Sequence, residues 1–196
     1  VGELKKWFEE LVHAYEKWAR YQIEWKELRN NSIRRTEFPF PYREGQRELV
    51  SSVYRTILRK KKLFIQAPTG VGKTMATIFP AVRAVGEELG EKIFYLTAKT
   101  ITRTVAEQAF DTLRGTGLRY KVITLTAKEK ICFCDTPECN PEACPYAKGH
   151  YDRVNDAVFD LISHTEELTR EVLEEQAQKF QVCPFEMSLD IALWVD

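Results

Sequence analysis

Apolar residues return on one side of a helix between residues 3 and 29. Leu4, Leu11, Trp18 and Trp25 recur every seven residues, Phe8 and Tyr15 lie beside them, and Trp7, Tyr21 and Leu28 widen the stripe, with charged residues on the opposite face. The pattern predicts one long amphipathic helix. Three tryptophans on one helix more often serve packing than chemistry, so it is read as a packing element. Residues 36–45 hold Pro39, Pro41 and Gly45 and interrupt regular structure. A second helix is predicted over about 46–59, ending in the basic turn Lys60-Lys61-Lys62. Short apolar runs then replace helical periodicity and predict strands at 63–67, 93–96 and 120–125. Between them fall a helix that follows Gly72, interrupted at Pro80 and closed at Gly90, and a helix over 101–113. Strands alternating with helices predict an α/β fold with a parallel sheet and crossovers. From Lys128 onward, cysteines, prolines and short acidic helices take over. The expected organisation is therefore an N-terminal helical segment (1–35), an α/β lobe (36–127), an insertion (128–186) and the start of a return to the lobe (187–196).

Composition narrows the picture. The chain has 196 residues, 44% of them apolar, which is enough for a folded domain with a core. No stretch approaches the ~20 apolar residues of a membrane span, and no signal peptide is visible. The first residue is Val1 rather than Met, so an excised piece is expected. Net charge is zero, which excludes a globally basic nucleic-acid binder. Charge is uneven, however: between Lys99 and Lys130 seven basic residues (Lys99, Arg103, Arg114, Arg119, Lys121, Lys128, Lys130) face three acidic ones. A local patch of this kind can follow a phosphate backbone. It can equally be a solvated surface.

The sharpest chemistry lies at residues 67–74, Ala67-Pro68-Thr69-Gly70-Val71-Gly72-Lys73-Thr74, directly after the apolar run Leu63-Phe64-Ile65. A strand, a glycine-containing turn, Lys-Thr and then a helix is the arrangement of a phosphate-binding loop. Gly70 and Gly72 allow the backbone to turn tightly and aim its N–H groups inward. The helix N-terminus adds its dipole. Lys73 reaches the β- and γ-phosphates, and the Thr74 hydroxyl is suited to Mg²⁺. The usual first glycine is Ala67 here.

All five cysteines, Cys132, Cys134, Cys139, Cys144 and Cys183, fall in the predicted insertion. A phosphate-binding loop implies a reducing compartment, so disulfides are not expected. Structural zinc favours close Cys-x₂-Cys pairs, whereas the near pair here is Cys132/Cys134. Cys144 and Cys183 each precede proline, as in bacterial cluster motifs. Spacing alone leaves an iron–sulfur cluster, zinc and unligated core cysteines open. Five thiols leave one spare for a four-ligand site, and Cys134 fits that place.

Loop and cysteines together resemble the XPD/DinG-like iron–sulfur helicases of superfamily 2, over residues 36–196. Phe40-Pro41-Tyr42-Arg43-Glu44-Gly45-Gln46 looks like their adenine-recognition motif. In the phosphate-loop motif Ala at the first position is normal for the family. Leu96-Thr97-Ala98-Lys99-Thr100 looks like the motif that touches single-stranded DNA. Lys130-Ile131-Cys132, the Cys139–Cys144 run and Cys183-Pro184-Phe185-Glu186 look like the cluster ligands. The resemblance implies a RecA-like P-loop lobe, here incomplete, and a helical cysteine-rich insertion with a 4Fe–4S cluster on Cys132, Cys139, Cys144 and Cys183. It also implies ATP and Mg²⁺ as cofactors and 5′-to-3′ translocation on single-stranded DNA with duplex or fork separation. A cytoplasmic setting follows, nucleoid-associated if the source is bacterial, with service in DNA repair.

Carried onto this chain, Lys73 and Thr74 become the catalytic phosphate and metal contacts. Arg43, Gln46 and residues 67–74 hold the nucleotide, and Thr97, Lys99, Thr100, Arg103 and Lys128 contact DNA. Lys128 stands where relatives often carry arginine. The acidic Asp-Glu-type box of the family does not occur before Asp196 and is expected to follow it, with the second motor lobe. The remainder of the helicase chain is thus an expected partner, and these residues alone are expected to bind ATP without appreciable turnover. Two further readings are a nucleotide- and DNA-binding module without turnover, and a P-loop phosphotransferase with a zinc-binding insertion. The second would need a lid with arginines, whereas the stretch from Asp160 to Asp190 carries eight Asp/Glu against two Lys/Arg. His150 is expected at the surface.

Overall fold

A computed structural model describes residues 2–68, 70–98, 100–136 and 138–196, with the backbone but not the side chains of residues 100–102. The chain divides into two compact units, one ending at Arg119 and one running Tyr120–Asp196.

The first unit is helical: α1 (Gly2–Arg35), α2 (Gln46–Leu58), α3 (Lys73–Gly86) and α4 (Thr100–Gly115). α3 is its centre and touches the other three. Met75, Ala76, Ile78, Phe79, Val82 and Val85 of α3 are buried, joined by Phe110 and Leu113 of α4. The helix runs through Pro80 rather than breaking there. Proline removes one helical hydrogen bond, but burial of α3 among three helices holds it in register. Its end also differs from expectation. Glu88, not Gly90, takes the left-handed conformation (φ 59°), and Leu89 N–H returns to the Ala84 carbonyl at 2.9 Å.

α1 is longer than predicted, and its N-terminal stripe does not pack. Leu4, Trp7, Phe8, Leu11 and Tyr15 are exposed, and burial begins at Arg29, Asn30 and Ile33. Ile33 meets α3 at Gly86, where a Cβ would lie 2.5 Å from Ile33 Cγ2. Arg83 Nη1 donates to the carbonyls of Ile33 (2.9 Å) and Arg34 (3.2 Å), closing the α1 C-terminus with a cation.

The strands expected at 63–67 and 93–96 are not formed. Both segments lack ladder partners among the described residues, and Phe64 and Leu96 are 94% and 88% exposed. A strand is defined by pairing, and apolar runs alone do not supply it.

The second unit holds β1 (Val122–Ile123), α5 (Lys128–Ile131), α6 (His150–His164), β2 (Glu167–Leu168), α7 (Arg170–Phe180) and α8 (Pro184–Ile191). The third expected strand survives as β1. It pairs in parallel with β2, Val122 opposite Glu167 and Ile123 opposite Leu168. β2 was not anticipated, because its two residues lie within an acidic helical stretch. On β1's flank Lys121 N–H donates to Asp196 Oδ2 at 2.9 Å, and Asp196 N–H donates back to the Lys121 carbonyl at 3.2 Å. Lys121 is only 2% exposed, so it leaves the basic patch read from the sequence. Val154, Ala157, Val158, Leu161 and Ile162 of α6 pack with Leu173, Ala177, Met187 and Ile191 into this unit's core. Thr169 Oγ1 caps α7 by accepting from Val172 N–H. No helix among the described residues is long and apolar enough to cross a membrane.

Candidate functional site

In the first unit the N-terminus of α3 is entered through two left-handed glycines, Gly70 (φ 91°) and Gly72 (φ 78°). Gln46, the first residue of α2, lies against this turn and is buried. Its Oε1 accepts the Arg43 N–H at 3.1 Å, and its Nε2 donates to the Gly72 carbonyl at 3.5 Å. A Cβ on Gly72 would stand 2.6 Å from Gln46 Nε2, which would have to shift, and the left-handed φ of 78° is what favours glycine here. The Arg43 guanidinium donates to the Gly70 carbonyl. Lys73 Nζ donates to the carbonyls of Ala67 (2.9 Å) and Pro68 (3.0 Å). The ammonium thus sits on its own loop.

Arg43, Gln46, Ala67, Pro68, Gly70, Gly72 and Lys73 are therefore brought together. Val71 and Thr74 are half-buried beside them. Thr69 lies outside the described residues. A cleft of about 620 Å³ adjoins the loop, walled by Leu49, Leu63, Phe64, Pro68 and Val71 with Glu44 and Glu48 at its edge.

The expected DNA contacts are distributed over both units. Thr97 is exposed ahead of α4, and Thr100 opens that helix; Lys99 and the Thr100 side chain lie outside the described residues. Arg103 is exposed and pairs with Glu107 across one helical turn, Nε to Oε1 3.6 Å. Lys128 belongs to the second unit and faces sulfur. The Cys139 side chain hydrogen-bonded to its ammonium raises the Lys128 pKa above the ordinary lysine value. Its Nζ also lies 5.6 Å from the Phe185 ring centre.

All five cysteines are unbridged, four half-buried and Cys139 exposed. Cys134 Sγ and Cys144 Sγ stand 3.8 Å apart. Burial, then the Cys144 contact, pushes the Cys134 thiol up to about 11. Cys183 N–H donates to His150 Nδ1 at 3.2 Å, and burial raises the Cys183 pKa. Among the described residues no group of three or more His, Cys, Asp or Glu is arranged to hold a metal ion. The described residues between 132 and 149 form no helix or strand, and among them a ring contact, Phe133 with Tyr146, spans the segment at 4.8 Å between centres. Nothing in such a segment draws four thiols to one point by itself.

Sequence reasoning missed the supports of this region. His150 is not at the surface but 4% exposed, with Nε2 lacking a partner. Arg153 donates to the carbonyls of Phe180 (Nε, 2.9 Å), Gln181 (Nη2, 2.6 Å) and Lys148 (Nη2, 2.7 Å). The available signal was position: both residues lie in the first turns of α6, immediately after the Cys144 turn.

Residues 44–135 match the family model described as DEAD/DEAH box helicase. Over 121 residues the chain is 31% identical to a probable ATP-dependent helicase of Methanocaldococcus jannaschii; the alignment covers 61% of this chain and 18% of that protein. The chain thus spans less than a fifth of that relative's length. No solved structure matches. Both similarities are to helicases, and the matched stretch holds the phosphate loop, Gln46 and the Thr97–Arg103 region but ends before Cys139. The small parallel sheet and many helices, taken with this match, fit an incomplete α/β fold of the RecA-like kind.

Proposed function

We propose that the chain is the nucleotide-binding part of the first motor lobe of an ATP-dependent DNA helicase, with a 4Fe–4S cluster carried by its second unit. The observation that carries the reading is the meeting of Gln46, Arg43 and Lys73 on the two-glycine turn that opens α3. Backbone N–H groups at this helix start favour phosphate oxygens. Lys73, now on the Ala67 and Pro68 carbonyls, would turn to the phosphates, and the Thr74 hydroxyl would hold Mg²⁺. The Gln46 amide, freed in part from Gly72, reads the adenine edge. These 196 residues contain no Asp-Glu pair to hold the metal and orient water. Binding without turnover is accordingly the reading for this segment, and hydrolysis the reading for the longer protein.

Cys132, Cys139, Cys144 and Cys183 are proposed as the cluster ligands. The donor chemistry fits: the unit carries unbridged thiols, and soft thiolates are the ligands of such clusters. A bound cluster would supply a cross-link across a segment that is otherwise turns. The chain's own residues prepare for it. Asn140 Oδ1 accepts from Glu142 and Ala143 N–H groups (3.1 and 2.8 Å) and so sets the turn before Cys144. His150 fixes the Cys183 amide, and Arg153 clasps the backbone leading to it.

Thr97, Lys99, Thr100, Arg103 and Lys128 are proposed to follow single-stranded or forked DNA, in a cytoplasmic, repair-related role. Each ionic contact would contribute about −0.7 to the slope of log K against log[salt]. Photo-crosslinking a single-stranded oligonucleotide to anaerobically prepared protein, with metal analysis of the same sample, tests the reading. Adducts on 97–103 and around Cys132, with iron and sulfide in the protein, are expected. Adducts confined to the exposed aromatic stripe of α1, or stoichiometric zinc without iron, would overturn the DNA and cluster assignments respectively.

A further inference from the structure

Cys134 has no place in the proposed ligand set, yet its sulfur is 3.8 Å from that of Cys144. The two chain segments that bring them together are tied independently of the sulfurs. Phe133, next to Cys134, packs its ring against Tyr146, two residues past Cys144. On the other side, Cys144 N–H donates to the Asn140 carbonyl at 3.0 Å, and the Cys144 carbonyl accepts from Ala147 and Lys148 N–H groups at 3.1 Å each. The pair is thus held by a ring contact and a hydrogen-bonded turn, in a stretch whose described residues form no helix or strand that would resist a small closing movement.

We propose that Cys134 and Cys144 form a redox modification site: in the metal-free unit, a peroxide converts them to a disulfide that withdraws Cys144 from metal binding. The Cys144 thiolate attacks one peroxide oxygen, breaking the O–O bond and forming a Cys144 sulfenic acid with release of hydroxide. Cys134 sulfur then attacks the Cys144 sulfur, the S–O bond breaks, and the second oxygen leaves as water once the Cys134 proton is transferred. Two thiols lose two electrons, and one peroxide is reduced to two waters. The 3.8 Å approach of the two sulfurs places Cys134 within reach of an oxidised Cys144 before a second peroxide can act on it. Cys132 also contacts Cys134, but a disulfide between residues separated by Phe133 alone closes a small, strained ring. Cys139 is directed to Lys128 and Cys183 is fixed through His150.

The test uses the full 196-residue chain, reduced and stripped of metal by chelator, then exposed to stoichiometric hydrogen peroxide and mapped by mass spectrometry without reduction. The expected product is one disulfide linking the Cys134 and Cys144 peptides, formed equally in Cys139→Ser, and reversed by a dithiol reductant. Cys134→Ser is expected to lose the bond and to accumulate instead a Cys144 sulfenic acid, trapped with dimedone. A dominant bond joining any other pair, or sulfinic acid at Cys144 in the unsubstituted chain, would overturn the proposal. The readout is independent of the cluster assignment. A chain that binds no iron but forms the bond refutes only that assignment, and a chain that binds iron but forms another bond refutes only this one.

Discussion

Gln46 Nε2 lies 3.5 Å from the Gly72 carbonyl and would be 2.6 Å from any Cβ at that position. The Gln46 side chain therefore lies directly on the turn that opens α3, and a side chain at Gly72 would displace it. Gly72→Ala adds this clash to a left-handed backbone (φ 78°), a combination that costs on the order of 1–3 kcal/mol. Reduced nucleotide affinity with a lowered urea midpoint is the expected outcome. Gln46→Ala in the same protein removes the clash, so the double variant should regain stability but not affinity. Calorimetric titration and urea unfolding separate the two effects.

Gly86 and Ile33 make the crossing between α1 and α3. A methyl at Gly86 meets Ile33 Cγ2 at 2.5 Å, and overpacking of this kind costs roughly 1–3 kcal/mol. Gly86→Ala should lower the unfolding midpoint, and Ile33→Ala added to it should restore part of the loss. Strict additivity of the two changes in a double-variant cycle would show that they do not touch.

Asp160 ties α6 to α7 through Lys179 Nζ (2.7 Å) and Gln176 Nε2 (2.9 Å), and these hydrogen bonds hold its carboxyl below the ordinary aspartate value. A depressed carboxyl pKa contributes stability that is fully present above the unfolded value and is lost as pH falls through the folded one. Asp160→Asn should thus be the less stable protein at neutral pH. The gap should close as pH falls below about 4. Urea midpoints across that range measure it, and a gap that is unchanged at low pH would mean the carboxylate is not the source.

His150→Leu leaves the half-buried Cys183 N–H without its acceptor, at a cost of about 1 kcal/mol. His150→Asn presents an oxygen at a comparable place and should recover much of the loss. Hydrogen exchange at the Cys183 amide reports the bond directly: fast in the leucine variant, slower in the asparagine one.

Helices were legible in the sequence because their signals are local. The heptad of α1, the helix start at Gln46 and the helix that follows Gly72 each rest on signals within a few residues. The two-glycine turn into α3 was legible for the same reason, since Gly70, Gly72 and Lys73 are neighbours in sequence. Strands were not: residues 63–67 and 93–96 have the apolar character of strands, but pairing depends on distant residues, and only β1 found a ladder, with the unforeseen β2. Pro80 misled because burial outweighs a local propensity. Lys128 and Lys121 were read as surface charge, and their engagement with Cys139 and burial beside Asp196 are long-range facts. Cys134 is the same lesson in the cysteine segment. Spacing marked it as surplus, and only folding sets it beside Cys144.

The central claim is that the turn opening α3 binds the phosphates of a nucleotide through Lys73. Titration of a non-hydrolysable magnesium nucleoside triphosphate into the unsubstituted chain and into Lys73→Ala, by calorimetry with matched urea unfolding of both proteins, measures it most directly. Saturable binding that disappears in Lys73→Ala while the two unfolding curves coincide is the predicted result. Equal binding by both proteins, or none by either, would contradict it.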